Sequence, residues 1–146
     1  MKNKIKYRDS IINILFSLLI FVLLANLISQ IMVTDEKEIY TSIIVSDHVG
    51  FDLNSTALTF GMAQPGKSAS RILSIENNFD FSNKVNIKIR GNISNFLTVS
   101  ENDFVLNSGE KKELNFVTVP SKDALFGKYE GFVTITLKRN IKIGKN

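Results

Sequence analysis

The sequence predicts an all-β protein, an antiparallel sandwich of about seven or eight short strands, preceded by one N-terminal transmembrane helix. Three observations predict it. Residues 11–33 carry no charge. From residue 40 onward, short runs of alternating polarity recur between turn signals. A chain of 146 residues holds one such domain and not two.

The first element is a basic head, residues 1–10, with Lys2, Lys4, Lys6 and Arg8 against the single acid Asp9. The uncharged run that follows, 11–33, spans about 34 Å as a helix, enough for a hydrocarbon core of roughly 30 Å. Its polar residues are Asn13, Ser17, Asn26, Ser29 and Gln30, most of them near the ends. Asp35, Glu36, Lys37 and Glu38 follow the run, so the positive-inside rule places the N-terminus in the cytoplasm and the rest outside. A cleaved signal peptide fits less well, because the run is longer than an h-region and no A-x-A-like site follows Leu24-Ala25-Asn26-Leu27. A pilin-like leader is a third reading. The junction Arg8-Asp9-Ser10-Ile11 lacks its small residue at the cleavage point and the Glu of many bacterial examples.

Residues 34–39 read as a juxtamembrane linker, 40–138 as the sandwich and 139–146 as a basic tail. Residues 41–46 form a short β-branched run. Val49, Phe51 and Leu53 alternate with Gly50 and Asp52, and 57–60 is another short strand. Gln64-Pro65-Gly66-Lys67 is a turn, with Pro fixing φ and Gly free to take positive φ. In 71–76, Ile72 and Ser74 face one way, Leu73 and Ile75 the other. The clearest strand is 84–90, with Val85, Ile87 and Ile89 inward and Lys84, Asn86, Lys88 and Arg90 outward. Short strands follow at 96–99 and 104–106. After the turn Asn107-Ser108-Gly109-Glu110, Leu114, Phe116 and Thr118 alternate with Asn115, Val117 and Val119 until Pro120. The segment 120–127 crosses between sheets, and Val133, Ile135 and Leu137 close the domain.

Composition excludes several functions. Between residues 34 and 137 there are 10 Lys and Arg against 13 Asp and Glu, a net charge of −3, so the pI of about 9.3 comes from the tails. That pattern is not a nucleic-acid surface. With no cysteine and one histidine, disulfides, thiolate chemistry and a zinc site are not expected. His48 beside Asp47 or Asp52 lacks any nucleophile motif and reads as a solvated loop residue. Asp35, Glu36 and Glu38, and separately Glu101 and Asp103, lack the spacing of a calcium loop and read as solvated charge. The pair Glu101 and Asp103 does not suggest glycosidase carboxylates, and no phosphate-binding motif occurs. The expectation is therefore no catalytic residue, no cofactor and no metal. Asn54-Ser55-Thr56 and Asn92-Ile93-Ser94 are glycosylation sequons, so Asn54 and Asn92 are the candidate modification sites.

Taken in order, Gln64-Pro65-Gly66, Ser74-Ile75-Glu76-Asn77, Gly91, Phe104-Val105-Leu106-Asn107-Ser108-Gly109-Glu110, Val117-Thr118-Val119-Pro120 and Gly127-Lys128-Tyr129 form a pattern. Over about residues 55–137 it resembles the immunoglobulin-like domains of archaeal and bacterial membrane-anchored or secreted surface proteins. Those domains share a PG turn, an Asn ending the next strand, an L-x-x-G-E turn and a G-x-Y before the last strand. The resemblance implies an immunoglobulin-like antiparallel β-sandwich acting as a binding or spacer module, with no shared catalytic residues. Gly127 and Tyr129 fit a tyrosine corner, whose phenol bonds to a nearby backbone group.

The functional expectation is a single-pass, membrane-anchored extracytoplasmic binding or structural module that contacts envelope or membrane-complex proteins. Its partners are membrane lipid through 11–33 and a protein of the cell envelope, with self-association as a further expectation and no nucleic acid. The alternatives are a subunit of a pilus-like or archaellum-like filament or secretion assembly, and a non-catalytic accessory of a membrane enzyme.

Overall fold

The structure, a computed structural model, describes residues 2–48, 50 and 57–141. It is mostly β, in two sheets, after one N-terminal helix. Helix α1 (Lys2–Ile31) contains neither Pro nor Gly, and it runs without a break through the head that the sequence separated from the anchor. Every side chain described along it, 11–27, is exposed. Asn26 donates back to the Val22 carbonyl at 2.8 Å. Among the described residues, no helix is long and apolar enough to cross a membrane. The chain falls into two compact units, Met1–Val33 and Thr34–Asn146.

Strand β1 (Val33–Val45) follows after the single residue Met32. This corrects two expectations. The helix does not reach residue 33, and 34–39 is not a linker but half of a strand. Its charged residues are exposed, yet Glu36 and Glu38 pair across to other strands. Thr34 Oγ1 lies 2.9 Å from the Leu137 carbonyl, Glu36 accepts from Thr136 Oγ1 at 3.1 Å, and Glu38 accepts from Arg90 at 2.8 Å. Such bonds with residues far along the chain, not local composition, make this stretch β.

The other strands are β2 (Leu58–Ala63), β3 (Ala69–Glu76), β4 (Asn83–Gly91), β5 (Leu97–Val99), β6 (Phe104–Leu106), β7 (Lys111–Thr118) and β8 (Gly127–Arg139), with a 3-10 turn at Asn92–Asn95. The larger sheet has the order β2-β1-β8-β4-β6, and the smaller β3-β7-β5. β4 and β8 pair antiparallel from Asn83↔Arg139 to Gly91↔Gly131, and β3 and β7 from Ala69↔Thr118 to Glu76↔Lys111. Thr34 meets Leu137 while Tyr40 meets Phe132 and Glu130, so β1 also runs antiparallel to β8. β1 and β2, however, are parallel, from Thr41↔Leu58 to Val45↔Ala63. The sandwich is therefore not purely antiparallel. The connection 46–57 brings the chain back only to the middle of β1, where Leu58 pairs with Thr41.

The core is the alternate face of each strand. Val85, Ile87, Val133 and Ile135 of the larger sheet pack against Leu114, Phe116, Leu97 and Ile75 of the smaller. The 120–127 segment does cross from β7 to β8 and so between the sheets. The strand expected over Val49, Phe51 and Leu53 lies outside the described residues, although Gly50 bridges Met62. The expected basic tail begins inside β8 at Arg139, and Asn140 N–H still donates to the Ser82 carbonyl at 2.9 Å.

These pairings give the domain two poles. Thr34, the β3–β4 and β6–β7 connections and Arg139 share the pole at which the chain enters from α1. The 64–68 turn, the 3-10 turn and 119–127 share the other.

Candidate binding surface

The residues singled out for chemistry stand apart in space. The His48 ring contacts Asp47, and both are mostly exposed. Ser46 Oγ donates to the His48 carbonyl and accepts the His48 N–H, so the hydroxyl serves the turn and not the imidazole. Asp52 and Asn54 lie outside the described residues. Glu101 pairs with Lys112 at 2.7 Å, while Asp103 accepts from Asn86 at 2.9 Å beside Lys84. The two carboxylates are thus held in separate pairings. Among the described residues no group of three metal-ligating side chains gathers. Asn92 is exposed, and its Oδ1 accepts the Glu130 N–H at 2.6 Å. Tyr129 OH donates to the Leu125 carbonyl at 3.0 Å, and its ring meets Phe96 edge-on at 4.9 Å.

One polar cluster ties β1 to β8. Glu130 Oε2 accepts from Lys128 at 2.7 Å and from Tyr40 OH at 2.9 Å. The Lys128 ammonium, then the Tyr40 hydroxyl, hold the Glu130 carboxyl below its ordinary 4.5. Glu130 and Tyr40 in turn raise Lys128 above its ordinary 10.5. A depressed carboxylate contributes stability that is full above its unfolded value and is lost as pH falls through its folded value; a raised ammonium contributes stability that is full below its unfolded value and is lost as pH rises through its folded value. Both groups are solvent-exposed, so the effect is small. Glu130→Gln is expected to lower the unfolding midpoint near neutral pH, with the gap closing in strong acid. A gap of constant size, read by denaturant titration across that range, would contradict the assignment.

Sequence reading missed the free edge of β3. Two clefts flank it. One, of about 200 Å³, is floored by Ile39, Leu73, Ile75, Ile135 and Leu137, with Asp35, Lys37 and Glu76 at its rim. The other, of about 340 Å³, lies between β2 and β3, with Phe60, Met62, Ala63 and Ala69 below and Lys67 and Arg71 above. Both exist because a three-stranded sheet lies over a five-stranded one. Arg71 Nε reaches the Thr59 carbonyl at 2.8 Å and ties the sheets between them. The signal in the sequence was Ile72, an apolar residue on the outward face of an alternating run, and it stands 67% exposed. At the opposite pole from Thr34, Leu125 and Phe126 project from the 120–127 segment, 79% and 66% exposed. Comparison with protein-family models, with curated proteins and with solved structures finds no match to this chain.

Proposed function

We propose that this protein is a single-pass, membrane-anchored binding module without catalytic activity of its own, its N-terminus cytoplasmic and its β domain, of immunoglobulin-like type, held outside. The observation that carries the reading is the uncharged stretch of α1, exposed at every described position from 11 to 27 and leading after one residue into a small β domain. An apolar helix without a polar face suits lipid, not water. The helical part of the proposed span, 11–31, measures about 31 Å, close to the hydrocarbon thickness, and includes residues beyond the described side chains. The immunoglobulin-like assignment draws support from two sheets over one core, the crossing 120–127 segment and the Tyr129 hydroxyl bonded to Leu125.

The domain offers edges and loops for contact with an envelope protein. The reading is tested by extracting the protein from its native membrane, measuring its intact mass and mapping its N-terminus, then cross-linking through the domain. Retention of residues 1–33 with a cross-linked protein partner is the expected result. Cleavage near Val33 would leave a secreted domain and overturn the anchor.

A second reading, a filament subunit, draws on a shallow groove along α1 lined by Asn13, Ser17 and Phe21, spaced i and i+4. Amides and hydroxyls so placed can bond between helices in lipid. A mature N-terminus near Ser10 would favour it.

A further inference from the structure

We infer that the free edge of β3 is a docking site for an extended segment of a partner protein, which adds to the small sheet as a fourth strand. The inference rests on the binding-module reading and names its surface and the chemistry of its ligand.

The backbone supplies the template. Asn77 N–H donates to the Glu110 carbonyl and Gly109 N–H to the Asn77 carbonyl, so Asn77 points its backbone groups toward β7. On the far side of β7, Ser100 N–H reaches the Asn115 carbonyl and Val119 N–H the Phe96 carbonyl, so odd positions of β7 turn toward β5. Antiparallel alternation then directs Leu73 and Ile75 into the ladder with Leu114 and Lys112. Ser70, Ile72, Ser74 and Glu76 direct their N–H and C=O groups outward, and among the described residues no strand receives them.

The side chains guard this edge only lightly, since its one inward-pointing charge, Arg71, is drawn back to the Thr59 carbonyl. The half of β1 not covered by β2 is also an edge, and it carries Asp35, Glu36, Lys37 and Glu38 in succession. Such charge deters strand addition. β3 has no Pro, no Lys and no bulge in eight paired positions, and it exposes Ile72.

The clefts set the ligand. They centre on Ala69–Arg71 and Leu73–Ile75, four residues or about 13 Å apart, so they receive the inward side chains at positions i and i+4 of an added strand. Each cleft has apolar side chains at its base to receive an aliphatic group, beneath a polar rim. Antiparallel addition follows the rest of this sheet, and places the N-terminal end of the ligand by Asp35 and Glu76, which outnumber Lys37 at that rim, and its C-terminal end by Lys67 and Arg71. The fitting segment is therefore extended, basic before its first aliphatic residue and acidic after its second. Paired with β3 of a second copy, the edge would leave these charge positions unmatched, since Arg71 would face Ile75 when all four outward positions bond.

The test uses the full chain in detergent micelles and the peptide Lys-Thr-Leu-Thr-Val-Thr-Leu-Thr-Glu, with a control carrying Asp for both Leu. Hydrogen–deuterium exchange is read over residues 69–76. The peptide is expected to slow exchange there and the control to leave it unchanged. Ser74→Pro removes an outward N–H but no bond to β7, and is expected to weaken binding at least about tenfold. Ile72→Lys, on the exposed face, is the second variant should the first not fold, with the same expectation. Binding that leaves 69–76 unprotected, no binding at all, or equal binding by a folded variant would overturn the inference. Protection that rises with protein concentration without peptide would overturn it in favour of a second copy. A chain that stays in the membrane and cross-links to a partner, while its β3 edge ignores the peptide, loses this inference and keeps the binding-module reading.

Discussion

Gly131→Val is expected to cost at least about 3 kcal/mol of folding stability, a loss reserved for changes that force a core apart. Gly131 sits buried in β8 opposite Gly91 of β4. A Cβ on Gly131 would lie 1.8 Å from the Arg90 carbonyl oxygen and 3.1 Å from Gly91 Cα. These are backbone atoms of a paired strand, so no side-chain rotation relieves the clash. Gly91 is constrained from the other side as well. Its φ is +96°, and a Cβ there would come 2.4 Å from the Glu130 carbonyl oxygen. The close approach carries β4 into the 3-10 turn, where Asn92 catches the Glu130 N–H. Urea unfolding of the full chain in detergent, followed by tyrosine fluorescence, measures the loss. A change under about 1 kcal/mol would show that the two strands can separate here without consequence.

Asn77→Ala is expected to cost about 3–5 kcal/mol, because it strands several buried polar groups at once. Asn77 is fully buried. Its Nδ2 lies within reach of the carbonyls of Phe81, Asn107 and Leu106, at 2.8, 3.0 and 3.1 Å. Its Oδ1 accepts from Asn83 Nδ2 at 2.9 Å and from Phe79 N–H at 3.2 Å. Asn83 Oδ1 in turn lies 2.8 Å from Thr34 Oγ1. The network therefore joins β1, the β3–β4 connection and the β6–β7 turn. Thr34→Val, which removes only its last link, should cost about 1 kcal/mol. The same unfolding experiment ranks the two, and a smaller loss for Asn77→Ala than for Thr34→Val would refute the network's direction of dependence.

Several elements were legible because their signal is local. The β4 alternation of Val85, Ile87 and Ile89, the Leu114 and Phe116 face of β7, and the turns at Gln64–Lys67 and Asn107–Glu110 depend on neighbours along the chain. Other features were not legible because their cause is remote. The charges at 35–38 have the composition of a linker, and their partners lie far along the chain, Arg90 on β4 for Glu38 and Thr136 on β8 for Glu36. Strand direction leaves no mark on composition, so the parallel β1–β2 pair could not be read. Asn77 looked like a strand breaker, and only the carbonyls of Leu106 and Asn107 reveal it as a buried junction. For the candidate surface, Ile72 was visible as an apolar residue sharing a face with Ser74. That β3 lacks a second neighbour was not, since alternation is the same at an edge and within a sheet. The solvated readings of His48, Glu101 and Asp103 rested on motif spacing, and the structure places each in a small local pairing of its own.

The seating of β1 beside β8 also governs when the domain can form. Thr34 and Leu137 are separated by 103 positions, yet they touch. The first strand to leave the ribosome therefore waits for the last. Until β8 arrives, β1 and β4 each lack their principal neighbour, and the core over Ile43, Val85 and Ile87 lacks Val133, Ile135 and Leu137. Loop closure over nearly the whole domain precedes the contacts that reward it, which makes acquisition of structure slow and all-or-none. A nascent chain truncated before Phe132 is correspondingly expected to remain an open, protease-sensitive intermediate, however much of its sequence is already present.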